Sequence, residues 1–110
     1  MSLNRLSDKL VFNILAGINV GYLEITNYQG EVFKFGNPQD NLKAKLKIKK
    51  PNFSFNLIKG GSIGFAESYM RGEFETDNLS NLIEITARNI KIIYKFSGLL
   101  DFPIINFLKG

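Results

Sequence analysis

Five lysines fall within eight residues: Lys43, Lys45, Lys47, Lys49 and Lys50. Four of them alternate with Leu42, Ala44, Leu46 and Ile48. A strand has a side-chain period of two, so this spacing puts the apolar set on one face and the ammonium groups on the other. Such a row projects a local positive field suited to an anionic surface. Near an anionic bilayer each basic residue contributes about 1 kcal/mol. The same pattern also serves a plain solvated face, or an edge strand guarded against aggregation. Aromatic side chains are not interleaved with the lysines, which disfavours nucleic acid as a partner.

A second constellation is the run Gly60-Gly61-Ser62-Ile63-Gly64-Phe65-Ala66-Glu67-Ser68-Tyr69-Met70-Arg71-Gly72. Gly61 and Gly64, with Ser62 as a helix N-cap, could gather backbone N–H groups around a phosphate. The same glycines equally permit a tight turn and close helix packing. Glu67 has Arg71 and Arg88 as candidate ion-pair partners, or a ligand or partner domain to bond. Tyr69 and Met70 read as core residues.

The chain has no Cys and no His. A thiol nucleophile, a Ser-His pair, a Cys or His metal site and a disulfide are thereby excluded. Carboxylate chemistry and oxygen-ligand metal sites stay formally open. No cofactor is expected. The 110 residues suit one domain, and a chain of this length can bury a true core. Apolar residues make up 45% and charged residues 22%, with a formal net charge of +4. That composition is ordinary for a globular protein, and the mild basicity favours an anionic partner. Ten Phe and no Trp leave phenylalanine to fill the core or line an apolar surface.

The apolar stretch Leu10 to Val20 is too short, and lacks the cleavage site, for a signal peptide. The stretch Ile90 to Leu108 is interrupted by Lys91, Lys95, Asp101 and Pro103. A membrane span needs about 20 mostly apolar residues. The expectation is a cytoplasmic protein, with room for a peripheral association with the inner face of the membrane.

The elements that must position these residues read as follows. Asn4 to Ala16 is a helix with Leu6, Leu10 and Ile14 on one stripe, stopped near Gly17. Two strands, Val20 to Asn27 and Glu31 to Phe35, are joined by a turn ending at Gly30. After a loop, Leu42 to Lys49 is the lysine-bearing strand. Pro51 opens a short helix with Phe53, Leu57 and Ile58 inward, ended by Gly60-Gly61. Ser62 caps a second short helix, Ile63 to Met70, and Gly72 sits at its C-terminal cap. Glu73 to Thr76 is an extended link. Asp77 is the expected N-cap of the longest helix, Asn78 to about Tyr94, with Leu79, Leu82, Ile83, Thr86, Ile90 and Tyr94 buried; Ser97-Gly98 ends it. Segregated strands and helices predict an α+β fold: a small antiparallel sheet of three or more strands with helices on one face. Residues 1–98 form the single domain, and 99–110 an apolar tail or the start of a linker.

The run Gly61 to Phe74 resembles the N-terminal region of the cyclopropane-fatty-acyl-phospholipid synthase family. The shared pattern is a glycine, a small or acidic residue, an apolar-Gly-apolar triplet, Glu67-x-Tyr69-Met70, then x-Gly72 and an aromatic. Asp77-Asn78-Leu79 with Leu82-Ile83 and Ala87-Arg88-Asn89 resembles the helix that closes that region, and residues from about 20 resemble its strands. Members of the family are S-adenosylmethionine-dependent methyltransferases that act on phospholipid acyl chains. Their downstream catalytic domain carries a glycine-rich cofactor loop and active-site Cys and His, which this chain lacks. The resemblance therefore implies a module that is not an enzyme on its own, either excised from a larger protein or free-standing. Within it Gly61, Gly64, Glu67, Tyr69, Met70, Gly72 and Asp77 are mainly structural. Its implied partners are a methyltransferase domain, in cis or in trans, and a phospholipid surface. The residues themselves leave two other readings open: a dimerisation or interaction module without lipid contact, and a free-standing carrier of a hydrophobic ligand.

Overall fold

The computed structural model describes residues 3–93. Their elements run α1 (Leu3–Leu15), β1 (Tyr22–Thr26), β2 (Val32–Gly36), β3 (Lys43–Ile48), α2 (Phe53–Met70), β4 (Phe74–Thr76) and α3 (Leu79–Arg88). One more helical turn occupies 90–93. Tyr94, Ser97-Gly98 and the tail 99–110 lie outside the described residues.

The fold is α+β, as the segregation of elements predicts, with a four-stranded sheet in the order β2-β1-β3-β4. The sheet is mixed where an antiparallel one is expected. β1 pairs antiparallel with β2 but parallel with β3. The cause lies in the chain path. β2 ends at Gly36, opposite Tyr22 at the start of β1, and β3 starts at Lys43 on the other side of Tyr22. The connecting loop has only to step over the entry of β1, after which β3 must run in the direction of β1. That crossing needs two chains in contact. Gly21 and Gly36 both have φ near +90°, and a Cβ on Gly36 would collide with the Gly21 carbonyl. Asp40 secures the loop by accepting bonds from Gly21 N–H (2.8 Å) and Leu42 N–H (2.9 Å). These two bonds, Leu42 first, hold its carboxyl below the ordinary range.

Glu73 to Thr76 is more than a link. Phe74–Thr76 pairs antiparallel with β3 and adds the fourth strand. The alternation of β3 is observed as predicted: Ala44, Leu46 and Ile48 are buried while Lys43, Lys45 and Lys47 are exposed. Leu23, Ile25 and Phe74 complete the buried sheet face, covered by Ile18, Phe53, Leu82 and Ile85. Phe74, 1% exposed, meets the rings of Phe53 at 5.1 Å and Phe65 at 5.0 Å. Burying one such ring fully stabilises by about 2–3 kcal/mol.

The helices differ from expectation in facing and in ends. α1 buries Ser7, Val11 and Ile14; of the expected stripe Ile14 is buried, Leu10 half-buried and Leu6 exposed, so the first two turns are rotated toward Ser7 and Val11. Phe12 explains the rotation: its ring packs 4.7 Å from Phe33 and 5.6 Å from Phe35 on β2. Ser7 is tolerated inside because its hydroxyl donates to the Leu3 carbonyl at 2.8 Å. The two short helices expected on either side of Gly60-Gly61 are observed: α2 is two helical halves meeting at a kink at Gly61, whose backbone is non-helical. α3 is shorter than expected. The N-cap of α3 is Asn78, whose side chain accepts from Asn81 N–H at 2.9 Å. Asp77 is one residue too early and bonds β3 instead. α3 buries Leu82 and Ile85 and leaves Ile83 and Thr86 exposed. It ends at Asn89, 2% exposed, whose amide accepts from Asn19 and Val20 N–H and donates to the Val20 and Ile85 carbonyls. Three of these four bonds tie the end of α3 to the entry of β1, and the fourth anchors the side chain to the last turn of α3 itself.

Candidate functional site

The helices cover one face of the sheet, and the other face carries the lysines. Lys43, Lys45 and Lys47 project from β3, and Lys49 continues the row just past its end. Lys50 is exposed but lies in the turn into α2, off the row. Lys34 of β2 joins the face, aligned with Glu24 of β1.

The register brings acids among these bases. Glu24 is aligned with Lys45 across β1 and β3, and Glu75 of β4 with Lys47. The Lys45 ammonium is 4.0 Å from Glu24, and that of Lys49 is 3.0 Å from Glu75. The Lys49 hydrogen bond, aided by its charge and that of Lys47, holds the Glu75 carboxyl below the ordinary range. Lys43 lies over the Tyr22 ring at 5.8 Å, within cation–π range. Lys34 and Lys47 have no ion-pair partner among the described residues.

Between β1, β3 and β4 the face forms a shallow, open groove of about 340 Å³, lined by Glu24, Thr26, Lys45, Lys47, Glu75 and Asp77 among others. Asp77 forms its rim. Its carboxylate accepts from Lys45 N–H at 2.7 Å and its own N–H donates to the Lys45 carbonyl at 3.3 Å. Asn81 donates to the Lys43 carbonyl at 2.9 Å. Side chains thus continue the β4 ladder past Thr76, which closes this edge of β3.

The glycine-flanked run lies apart from the lysine face, in the second half of α2. Gly61 has φ +57° and ψ −134°, a conformation that only glycine adopts readily. A Cβ on Gly64 would stand 2.6 Å from the Asn56 carbonyl oxygen, so the two halves of α2 pack backbone against backbone. Gly72 (φ +71°) ends the helix with bonds from its own N–H to the Tyr69 carbonyl and from Glu73 N–H to the Ser68 carbonyl. This is the glycine cap expected there.

Two expectations for this run are corrected. Tyr69 is 44% and Met70 77% exposed, so neither is a core residue, although the Tyr69 ring leans on Phe74 at 5.6 Å. Both follow Ser68, which takes the inward position with its hydroxyl bonded to Glu73. Glu67 is exposed, and its expected partners are engaged elsewhere: Arg71 with Glu73 at 2.9 Å and Arg88 with Glu84 at 2.7 Å.

Glu73 is the polar centre of the region, and sequence reasoning passed over it. It is 8% exposed and accepts from Ser68 (2.7 Å), Arg71 Nε (2.9 Å) and Asn56 (3.2 Å). Arg71 first, then Ser68, lowers its pKa from 4.5 to about 2. Its only sequence signal is its place just after a glycine cap, where the chain turns inward. Glu24 and Glu75 were also missed, because pairing across strands is invisible in a single strand's alternation.

Among the described residues no helix is long and apolar enough to cross a membrane. No protein-family model, curated protein or solved structure matches this chain.

Proposed function

We propose that this chain is a non-catalytic accessory module that rests its open sheet face on a phospholipid surface. In this reading it serves a methyltransferase of the cyclopropane-fatty-acyl-phospholipid synthase type, in cis or in trans. The carrying observation is the uncovered face from which Lys34, Lys43, Lys45, Lys47 and Lys49 project. The resemblance of the Gly61 to Phe74 run supplies the family. Five lysines against Glu24, Glu75 and Asp77 leave a modest positive excess of two charges. At about 1 kcal/mol per charge near an anionic surface, that excess favours binding by roughly 2 kcal/mol, or about thirtyfold.

The test is co-sedimentation with vesicles. Binding to phosphatidylglycerol vesicles is expected to exceed binding to phosphatidylcholine vesicles. It should collapse when Lys43, Lys45, Lys47 and Lys49 are replaced by Glu. Unchanged binding after that replacement refutes the reading.

The exposed Ile63 and Met70 on α2 favour a second reading, a protein-docking module. It predicts a concentration-dependent dimer by sedimentation and no affinity for vesicles.

A further inference from the structure

We infer that the groove of the open face takes a headgroup bearing both a phosphate and a primary ammonium group, and does not take a simple anion. This rests on the bilayer-contact reading and refines it.

The register carries the inference. Lys45 and Lys47 stand on the same face of β3, two residues apart, with a carboxylate beside each from the neighbouring strand. Glu24 flanks Lys45 from β1, and Glu75 flanks Lys47 from β4. Neighbouring strands are about 4.8 Å apart, close to the span of a two-carbon bridge between a phosphate ester and an amine. A phosphate bonded to Lys47 can therefore reach Glu24 or Glu75 with its attached ammonium. A doubly anionic ligand would meet Glu24, Glu75 and Asp77, all of which line the groove, as like charges.

The existing partners leave such a ligand room at Lys47 and Glu24, whereas at Glu75 its ammonium must exchange with that of Lys49, bonded at 3.0 Å. Lys47 has no ion-pair partner among the described residues. The Lys45–Glu24 contact is long at 4.0 Å, and the Lys45 side chain is 71% exposed. The Glu24 side chain is 25% exposed, and a contact this long on a mostly exposed lysine contributes little net stability, so a ligand can exchange for it. Thr26 lines the same groove and adds a hydroxyl.

The face also discriminates among ammonium groups. Carboxylates are hydrogen-bond acceptors and suit N–H donors. A quaternary ammonium has none and is held by aromatic faces. Among the described residues the ring on this face is Tyr22, and the Lys43 ammonium already lies over it. An ethanolamine-type headgroup therefore fits where a choline-type one does not.

The test compares three kinds of vesicle at neutral pH: phosphatidylcholine alone, phosphatidylcholine with phosphatidylethanolamine, and phosphatidylcholine with phosphatidylglycerol. The first two carry no net charge. The chain should bind the ethanolamine vesicles about fivefold more tightly than the choline vesicles. That advantage should vanish in the double variant Glu24→Gln with Glu75→Gln, while its binding to phosphatidylglycerol is retained or strengthened. Equal binding to ethanolamine and choline vesicles overturns the inference, as does an ethanolamine preference that survives the double variant. Retained phosphatidylglycerol binding in either case leaves the bilayer reading standing, whereas no binding to phosphatidylglycerol sinks that reading as well. Soluble phosphoethanolamine binding as tightly as the vesicles would reassign the groove to a free ligand and overturn its bilayer source.

Discussion

Replacing Glu73 by Gln removes one negative charge from the turn between α2 and β4 and keeps the side chain's shape. The carboxylate accepts from Ser68, Arg71 and Asn56, and its pKa falls from 4.5 to about 2. A depressed acid stabilises the folded state above its unfolded pKa, and the stabilisation is lost as pH falls through the folded value. The contribution is therefore complete above pH 4.5 and gone by about pH 2. The full shift corresponds to an upper limit of about 3 kcal/mol. The Arg71 side chain is 50% exposed, so water screens the largest contributor, and about 2 kcal/mol is expected at pH 7. For a domain of this size that is a fall in Tm of roughly 10 °C. The assay is urea denaturation of the parent and Glu73→Gln at pH 7 and pH 2.5. The gap of about 2 kcal/mol at pH 7 should shrink to less than half at pH 2.5. A gap below about 0.5 kcal/mol at pH 7, or one equal at both pH values, would refute the reasoning, since surface substitutions already scatter by that much.

Five further substitutions test the packing and the caps. Gly64→Ala drives a Cβ against the Asn56 carbonyl and should cost about 1–3 kcal/mol in thermal unfolding. Gly60→Ala, with open space around it, should be neutral or stabilise by up to about 1 kcal/mol. Asn89→Ala strips partners from the Asn19 and Val20 backbone and should cost about 2–4 kcal/mol, read by denaturant midpoint. Asn78→Ala should lose about 1 kcal/mol of α3 capping, detectable as faster amide exchange at Asn81, while Asp77→Ala should instead speed exchange at Lys45.

The elements were legible wherever a period or a glycine carried them. Leu42 to Lys49 shows its two faces by alternation alone, and Gly72 announces the end of α2. Asp77 and Asn78 are both good caps by type, and only the path of β4 decides between them: Asp77 is still engaged with Lys45, so the helix starts from Asn78. Ser7 replaces Leu6 in the core because Phe12 turns α1 toward β2, a long-range contact that local spacing does not encode.

The α+β class, the lysine row with its exposure, and the lack of thiol and imidazole groups in this chain were readable from residue types and spacing. Each follows from residue type or from a period along one strand. Tertiary structure alone decided that β1 and β3 run parallel, since that depends on where the Gly36–Lys43 loop crosses Gly21. It also decided the character of the lysine face. A row that is purely cationic along β3 becomes a mixed-charge surface once β1 and β4 bring Glu24 and Glu75 alongside, because neighbours across a sheet are chosen by register and not by sequence distance.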